Sequence, residues 1–300
     1  MMLKHGGNCV DAALAAAMVE TVVLAPKCGL AGDVVALHLR PGADRPDALV
    51  AVGPGPARLA GAVTSSGKLA ATGAMSVGVP GAPAGYAQLA QLCSLPLSEL
   101  VAPAISIAEQ GFAWSALCTM LAAEADDLLV ANQPDGCHYR PASGPLAHNA
   151  LVRLPGLARV LEAFVERRET LFHGSLGEAL VRRVAAAGGV LEMDDLLRAS
   201  ALWSEPASLC SPGAPTIWTT PGPTYGPALL SVLAEHHKER GAELARSVQQ
   251  VLADQARLGR VPDFWRTDGT SVVTAADTDG GAVVIVHSNS FPQFGSGLVV

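Results

Sequence analysis

The sequence is poor in charge and in aromatic rings: charged residues make up 16% of its 300 positions and aromatic residues 4%. It also lacks any block of lysine and arginine, with 20 basic residues set against 27 acidic ones for a formal net charge of −7. Binding through phosphate neutralisation needs clustered cations, so nucleic acid is not the expected partner. No apolar run reaches the roughly 18 residues of a membrane helix. The best candidate, Ala12 to Ala25, is broken by Glu20. No secretory leader is legible, because Gly6-Gly7-Asn8 follows the first residues at once. Six cysteines (Cys9, Cys28, Cys93, Cys118, Cys137 and Cys210) form no C-x-x-C pair and have no histidines at zinc spacing. They read as buried free thiols, and no metal or cofactor is expected. There is no Asn-x-Ser/Thr sequon, since Asn289-Ser290 is followed by Phe291. The compartment stays open.

What is present is a hydrophobic half, 50% of the residues and richer in alanine than in any other type, with a positive mean hydropathy. That excludes a disordered chain, and the length suits one large domain or two ordinary ones. Both ends fall inside apparent secondary structure, so a piece of a longer protein is expected.

Asn8 is a plausible N-cap with Asp11 in the first turn, and Ala12 to Glu20 are mostly helix formers. Val34–Leu39 and Ala48–Val52 read as strands around the turn residues Pro41 to Asp44. A helical middle follows: Ala84–Cys93, Ser98–Gln110, Trp114–Val130, Pro155–Arg167 and Leu176–Ala187, with Leu191–Leu197 as a short helix. Ile217–Thr219 reads as a strand, and Ala228–His237 and Ala242–Leu258 as two more helices. Thr270–Ala276 and Ala282–His287 are β-rich runs joined by Asp277-Thr278-Asp279-Gly280-Gly281, the strongest hairpin signal in the chain. Strands at both ends of a helical middle predict a layered α/β fold around an antiparallel sheet.

Several motifs fail on inspection. Gly61 to Lys68 has five residues between its glycines and Leu69 where a phosphate loop needs Ser or Thr. Gly53-Pro54-Gly55 lacks a third glycine, and Pro54 removes a phosphate-binding N–H. His236-His237 reads as a solvated helix end. Asp194-Asp195 reads as a helix first turn rather than a dyad, because helix neighbours point about 100° apart.

One ordered set of motifs survives. Gly6-Gly7-Asn8-Cys9-Val10-Asp11-Ala12-Ala13 is followed by Cys28 to Asp33, Pro80 to Gly85, Ala102 to Phe112, Phe172-His173-Gly174, Gly188-Gly189 before Asp194-Asp195-Leu196, and Pro221 to Gly226. Leu258 to Phe264 comes next, then the hairpin opening on Gly269-Thr270-Ser271, then Phe294-Gly295-Ser296-Gly297. In this order they resemble the γ-glutamyltransferase (glutathione hydrolase) family of N-terminal-nucleophile hydrolases, as a divergent, truncated member. Cys28 to Asp33 departs from the family's glycine-rich run by carrying Ala31 and Asp33 in place of glycines.

The resemblance implies a four-layer αββα sandwich with antiparallel sheets, here incomplete. It implies one domain over 1–300, with 1–269 as large-subunit part and 270–300 as the start of a small-subunit part. It also implies self-cleavage between Gly269 and Thr270, giving two subunits that stay partners. Thr270 would then attack a small-molecule γ-glutamyl amide and pass the acyl group to water or an amino acid. The residues support the chemistry: a threonine hydroxyl needs a base, and a freed α-amine, of pKa roughly 7.7–8.0, can serve. Ser288 matches a hydroxyl residue that helps hold the nucleophile. Asn289 stands one place before the position of a substrate-holding asparagine, where strict register puts Ser290. Val272 replaces a family histidine. Val52 occupies the position of the arginine that grips the substrate carboxylate, with Arg58 close but displaced. Family members are commonly exported. An acylase of the same architecture acting on another acyl group, and a non-catalytic paralogue or binding scaffold, are the alternatives.

Overall fold

The computed structural model describes residues 2–62, 69–210, 215–238, 270–290 and 292–299. The first helix, α1 (Cys9–Val23), begins where the sequence supplies its own cap. The Asn8 side chain accepts from the N–H groups of Val10 and Asp11, and Asp11 answers by accepting from Asn8 N–H. Asp11 is fully buried and also accepts from Ser94 N–H and Leu95 N–H. The Gly-Gly-Asn-x-Val-Asp motif is thus a helix start clamped to a loop more than eighty residues away.

The chain continues through β1 (Asp33–Leu39), β2 (Asp47–Ala51), α2 (Ala82–Ala90), α3 (Leu97–Gln110), β3 (Phe112–Ala113), α4 (Ala116–Glu124), α5 (Asp126–Asn132) and β4 (Leu151–Val152). Then come α6 (Pro155–Arg167), α7 (Ser175–Ala186), α8 (Met193–Leu196), β5 (Leu202–Ser204), β6 (Ala207–Leu209), β7 (Ile217–Thr219), α9 (Gly226–Lys238), β8 (Thr270–Ala276) and β9 (Ala282–Ser288).

Most expected elements are in place, and the differences have local causes. The helix expected over Trp114–Val130 is two. Trp114 is a fully buried ring stacked on Tyr139, Ser115 caps α4 by accepting from Cys118 N–H, and Asp126 restarts the chain as α5 with its carboxylate on Arg140. The expected helix Leu191–Leu197 shrinks to α8, because Glu192 and Asp195 form a capping box at its start. Asp194 and Asp195 do open that helix, Asp195 buried and accepting from Ala57 N–H and Glu192 N–H. The expected helix Ala242–Leu258, the Leu258–Phe264 segment and Gly269 lie outside the described residues. All six cysteines are free thiols, but Cys93 and Cys137 are half-buried and Cys210 is exposed, so only Cys9, Cys28 and Cys118 fit the buried reading. No helix among the described residues is long and apolar enough to cross a membrane.

The main sheet has the order β5-β2-β1-β9-β8, every neighbouring pair antiparallel. Helix α1 packs on β8 and β9, α2 on β1 and β2, α3 on α1, and α6 on α3. Strand alternation sends Val34, Ala36, Leu49, Val283 and Ile285 into this helical side, where all are buried. The opposite side is open: Val272 is 56% exposed, Leu202 66% and Val284 36%. One sheet with its helical layers is therefore what the described residues show of the expected sandwich.

Candidate active site

The last hairpin places Thr270 at the first position of β8, directly across from Ser288 at the last position of β9. Register then carries the row on to Asp33, which stands opposite Ser288 at the start of β1. Thr270, Ser288 and Asp33 thus line up across three strands on the open side of the sheet. Thr270 Oγ1 lies 3.1 Å from Ser288 Oγ, and Ser288 Oγ accepts from Ser290 N–H at 2.8 Å. Asp33 Oδ1 accepts from Gly53 N–H at 2.9 Å. Burial pushes the Asp33 carboxyl up to about 6, against the lowering pull of that N–H.

The Cys28–Asp33 turn packs against the end of β9. A Cβ on Gly32 would collide with the carbonyl oxygen of Ser288, so the turn approaches the strand only because that residue is glycine. Asn289 is held into the same turn region: its backbone N–H donates to Lys27 O, and its Nδ2 donates to Ala25 O at 3.0 Å. Ser288 is thus brought beside Thr270, whereas the Asn289 amide is spent on the loop after α1. Gly269 lies outside the described residues. Arg58 is bound to Glu192 at 3.0 Å, and Val52 has no charge to offer a carboxylate.

Beneath Thr270, on the helical side, runs a polar chain that the sequence reading missed. Ser271 Oγ donates to Glu20 Oε2 at 2.7 Å, His287 Nε2 meets the same oxygen at 2.7 Å, and Tyr86 Oη meets His287 Nδ1 at 2.6 Å. With Glu20 ionised, the consistent assignment has Nε2–H donating to the carboxylate and Tyr86 O–H donating to Nδ1. Burial works to raise Glu20, but the bonds from His287 and Ser271 outweigh it and hold the carboxyl below its ordinary range. The signals were a glutamate in an alanine-rich helix and a histidine ending an apolar strand.

Among the described residues, Glu20, Cys28 and His287 form a group that could hold a metal ion, their donor atoms lying within 4.8 Å of one another. The His287–Glu20 separation of 2.7 Å is that of a direct hydrogen bond. Two ligands of a tetrahedral zinc stand further apart, at about 3.3 Å. Burial also drives the Cys28 thiol strongly upward, away from the thiolate a metal takes. The donor set therefore fits a hydrogen-bonded network better than a cation site.

A cavity of about 640 Å³ opens among Leu30, Tyr139, Leu157, Phe172, Asn289 and Phe294. Thr270 and Ser288 are not in its lining, so it is no evidence for the row.

The gamma-glutamyltranspeptidase family model matches residues 1–258, which end before Thr270. Glutathione hydrolase 2 of Arabidopsis thaliana is 29% identical over 288 residues, 88% of this chain and 47% of that protein. The acylase ACY 1 proenzyme of Pseudomonas sp. (strain SE83) is 31% identical over 211 residues, 65% of this chain and 37% of that protein. The chain thus spans about half the length, or less, of these relatives. The cephalosporin acylase structure from Bacillus halodurans superposes with a TM-score of 0.83 at 27% identity, covering 99% of this chain and 64% of that one. The α/β fold described above is therefore shared with N-terminal-nucleophile hydrolases of both kinds. With more than half its length matched by one family model, this chain belongs to the γ-glutamyltranspeptidase family.

Proposed function

We propose that the protein is an amide hydrolase or acyltransferase whose nucleophile is Thr270, freed by cleavage of the Gly269–Thr270 bond. The observation that carries this reading is the position of Thr270: first in its strand, on the open side of the sheet, its hydroxyl 3.1 Å from Ser288. After cleavage the Thr270 α-amine takes the hydroxyl proton as the oxygen attacks the substrate carbonyl, and returns it to the leaving amine. The acyl group then passes from Thr270 to water or to an amine. Residues 1–269 form the large part and 270–300 the start of the small one. The exposed valines of β8 and β9 support a second sheet covering that face, completing the αββα sandwich.

For substrate, family membership supports a γ-glutamyl amide. A second reading, a different acyl group, is favoured by Val52 at the carboxylate-gripping position and by Arg58 being engaged with Glu192. The test is amine release from a γ-glutamyl anilide and from a plain acyl anilide, by wild type and by Thr270→Ala. Release from either by wild type alone supports the mechanism and tells the two substrates apart. Equal release by Thr270→Ala overturns it.

A further inference from the structure

Cleavage before Thr270 poses a proton problem that turnover does not. During turnover the α-amine is a base; before cleavage the same nitrogen is an amide and accepts nothing. Another group must take the hydroxyl proton, and the Tyr86–His287–Glu20–Ser271 chain is on the wrong side of the sheet for it.

The row on the open side supplies one. Neighbours in antiparallel register stand about 4.5–5.5 Å apart at Cβ, which sets Ser288 between Thr270 and Asp33 in the row. Ser288 Oγ accepts from Ser290 N–H, which fixes the oxygen beside Thr270 Oγ1. Of the Asp33 carboxylate, Oδ1 is engaged by Gly53 N–H, and Oδ2 has no protein partner among the described residues. From the elements packed around it, β9 offers Ser288, the end of β2 offers Ala51 and Gly53, and the preceding turn offers Gly32. The titratable His287 and Glu20 face the helical side. Asp33 is also the residue that replaces a family glycine in the Cys28–Asp33 turn.

We infer that Asp33 is the proton acceptor for self-cleavage, acting on Thr270 through Ser288. This rests on the cleavage reading above. The Asp33 carboxylate takes the Ser288 hydroxyl proton as Ser288 takes that of Thr270, and Thr270 Oγ1 bonds to the preceding carbonyl carbon. The C–N bond then breaks, and the same proton returns through Ser288 to the departing Thr270 nitrogen. That leaves an ester on Thr270 Oγ1 and a free amine. Water hydrolyses the ester, giving a carboxylate on one part and the hydroxyl on the other. The elevated carboxyl of Asp33 suits such a shuttle, being basic enough to accept and acidic enough to return the proton near neutrality.

The experiment follows cleavage of purified protein by intact mass across roughly pH 5 to 9, for wild type, Asp33→Asn and Asp33→Glu, with a melting temperature for each. Wild-type cleavage should accelerate as pH rises through about 6 and then level off. Asp33→Asn, which keeps the acceptor for Gly53 N–H, should be slower by on the order of 100-fold and lose that inflection. It should also melt higher at neutral pH, since a buried carboxylate is gone, and Asp33→Glu should recover part of the rate. Asp33→Asn cleaving at the wild-type rate with the same pH profile overturns the inference and leaves the cleavage reading standing. A slow Asp33→Asn that melts lower and is not rescued by Asp33→Glu overturns it in favour of a structural role. A wild type that stays whole overturns both.

Discussion

The two faces of the main sheet are made from alternate residues of the same strands, and they differ in almost everything else. On the helical side, Val34, Leu49 and Ile285 are fully buried, and Tyr86, His287, Glu20 and Ser271 are closed into one hydrogen-bonded chain. On the open side, Val272 and Val284 meet solvent, and Thr270, Ser288 and Asp33 form a row ending at a carboxylate whose Oδ2 has no partner among the described residues. Ser271 and Thr270 are neighbours in sequence and belong to opposite systems. The two faces divide the structure: one packs the residues that hold β8 in place, and the other exposes the hydroxyl with which β8 begins.

The comparison can be broken first at its packed side. Leu49→Ala should cost about 2–5 kcal/mol in urea unfolding, because the cavity forms in a core that cannot collapse. Val272→Ala should cost under about 0.5 kcal/mol in the same assay. Equal costs would mean that the open face is as buried as the other.

Glu20→Gln should come next, at roughly 1.5–3 kcal/mol, since two bonds to an ionised oxygen are weakened. Here pH gives the sign. Glu20 is held below its ordinary range, so its stabilising share is present above the unfolded-state value of 4.5 and is lost as pH falls through the lowered folded one. Wild type should therefore lose more stability than Glu20→Gln on acidification. Asp33 is opposite: its raised carboxyl makes stability fall as pH climbs from about 4 to about 6. Asp33→Asn should abolish that fall in a melting-temperature series.

The smallest effect expected is Ser271→Ala. It removes one hydrogen bond to Glu20, at about 1 kcal/mol of stability, and should slow cleavage only modestly by loosening the start of β8. A Ser271→Ala protein that fails to cleave at all would move the proton chemistry to the helical side.

Much of the scaffold was legible because it is local. Asn8 and Asp11 announce a capped helix, and the Asp-x-Asp-Gly turn announces the hairpin whose register sets Thr270 across from Ser288. The short strands β3 to β6 were not legible, since two or three residues show no period, and β7, equally short, stood out only by its β-rich Ile217-Trp218-Thr219 ahead of Pro221. The break at Ala125 depends on Trp114 and Arg140 finding distant partners. The site divides in the same way. Thr270 and Ser288 could be named from an ordered resemblance, and Asn289 could be named too, although its amide is turned to the loop after α1. The Glu20–His287–Tyr86 chain joins residues up to 267 positions apart, and Asp33 first appeared only as a departure from glycine. Such couplings exist in three dimensions and leave single polar residues in apolar segments as their trace.

The most direct measurement is the intact mass of the purified protein and of Thr270→Ala after incubation at neutral pH. The account predicts two fragments from wild type, one beginning at Thr270, and a single uncut chain from Thr270→Ala. A wild-type chain that stays whole for days, or a Thr270→Ala chain cut at the same bond, would contradict it.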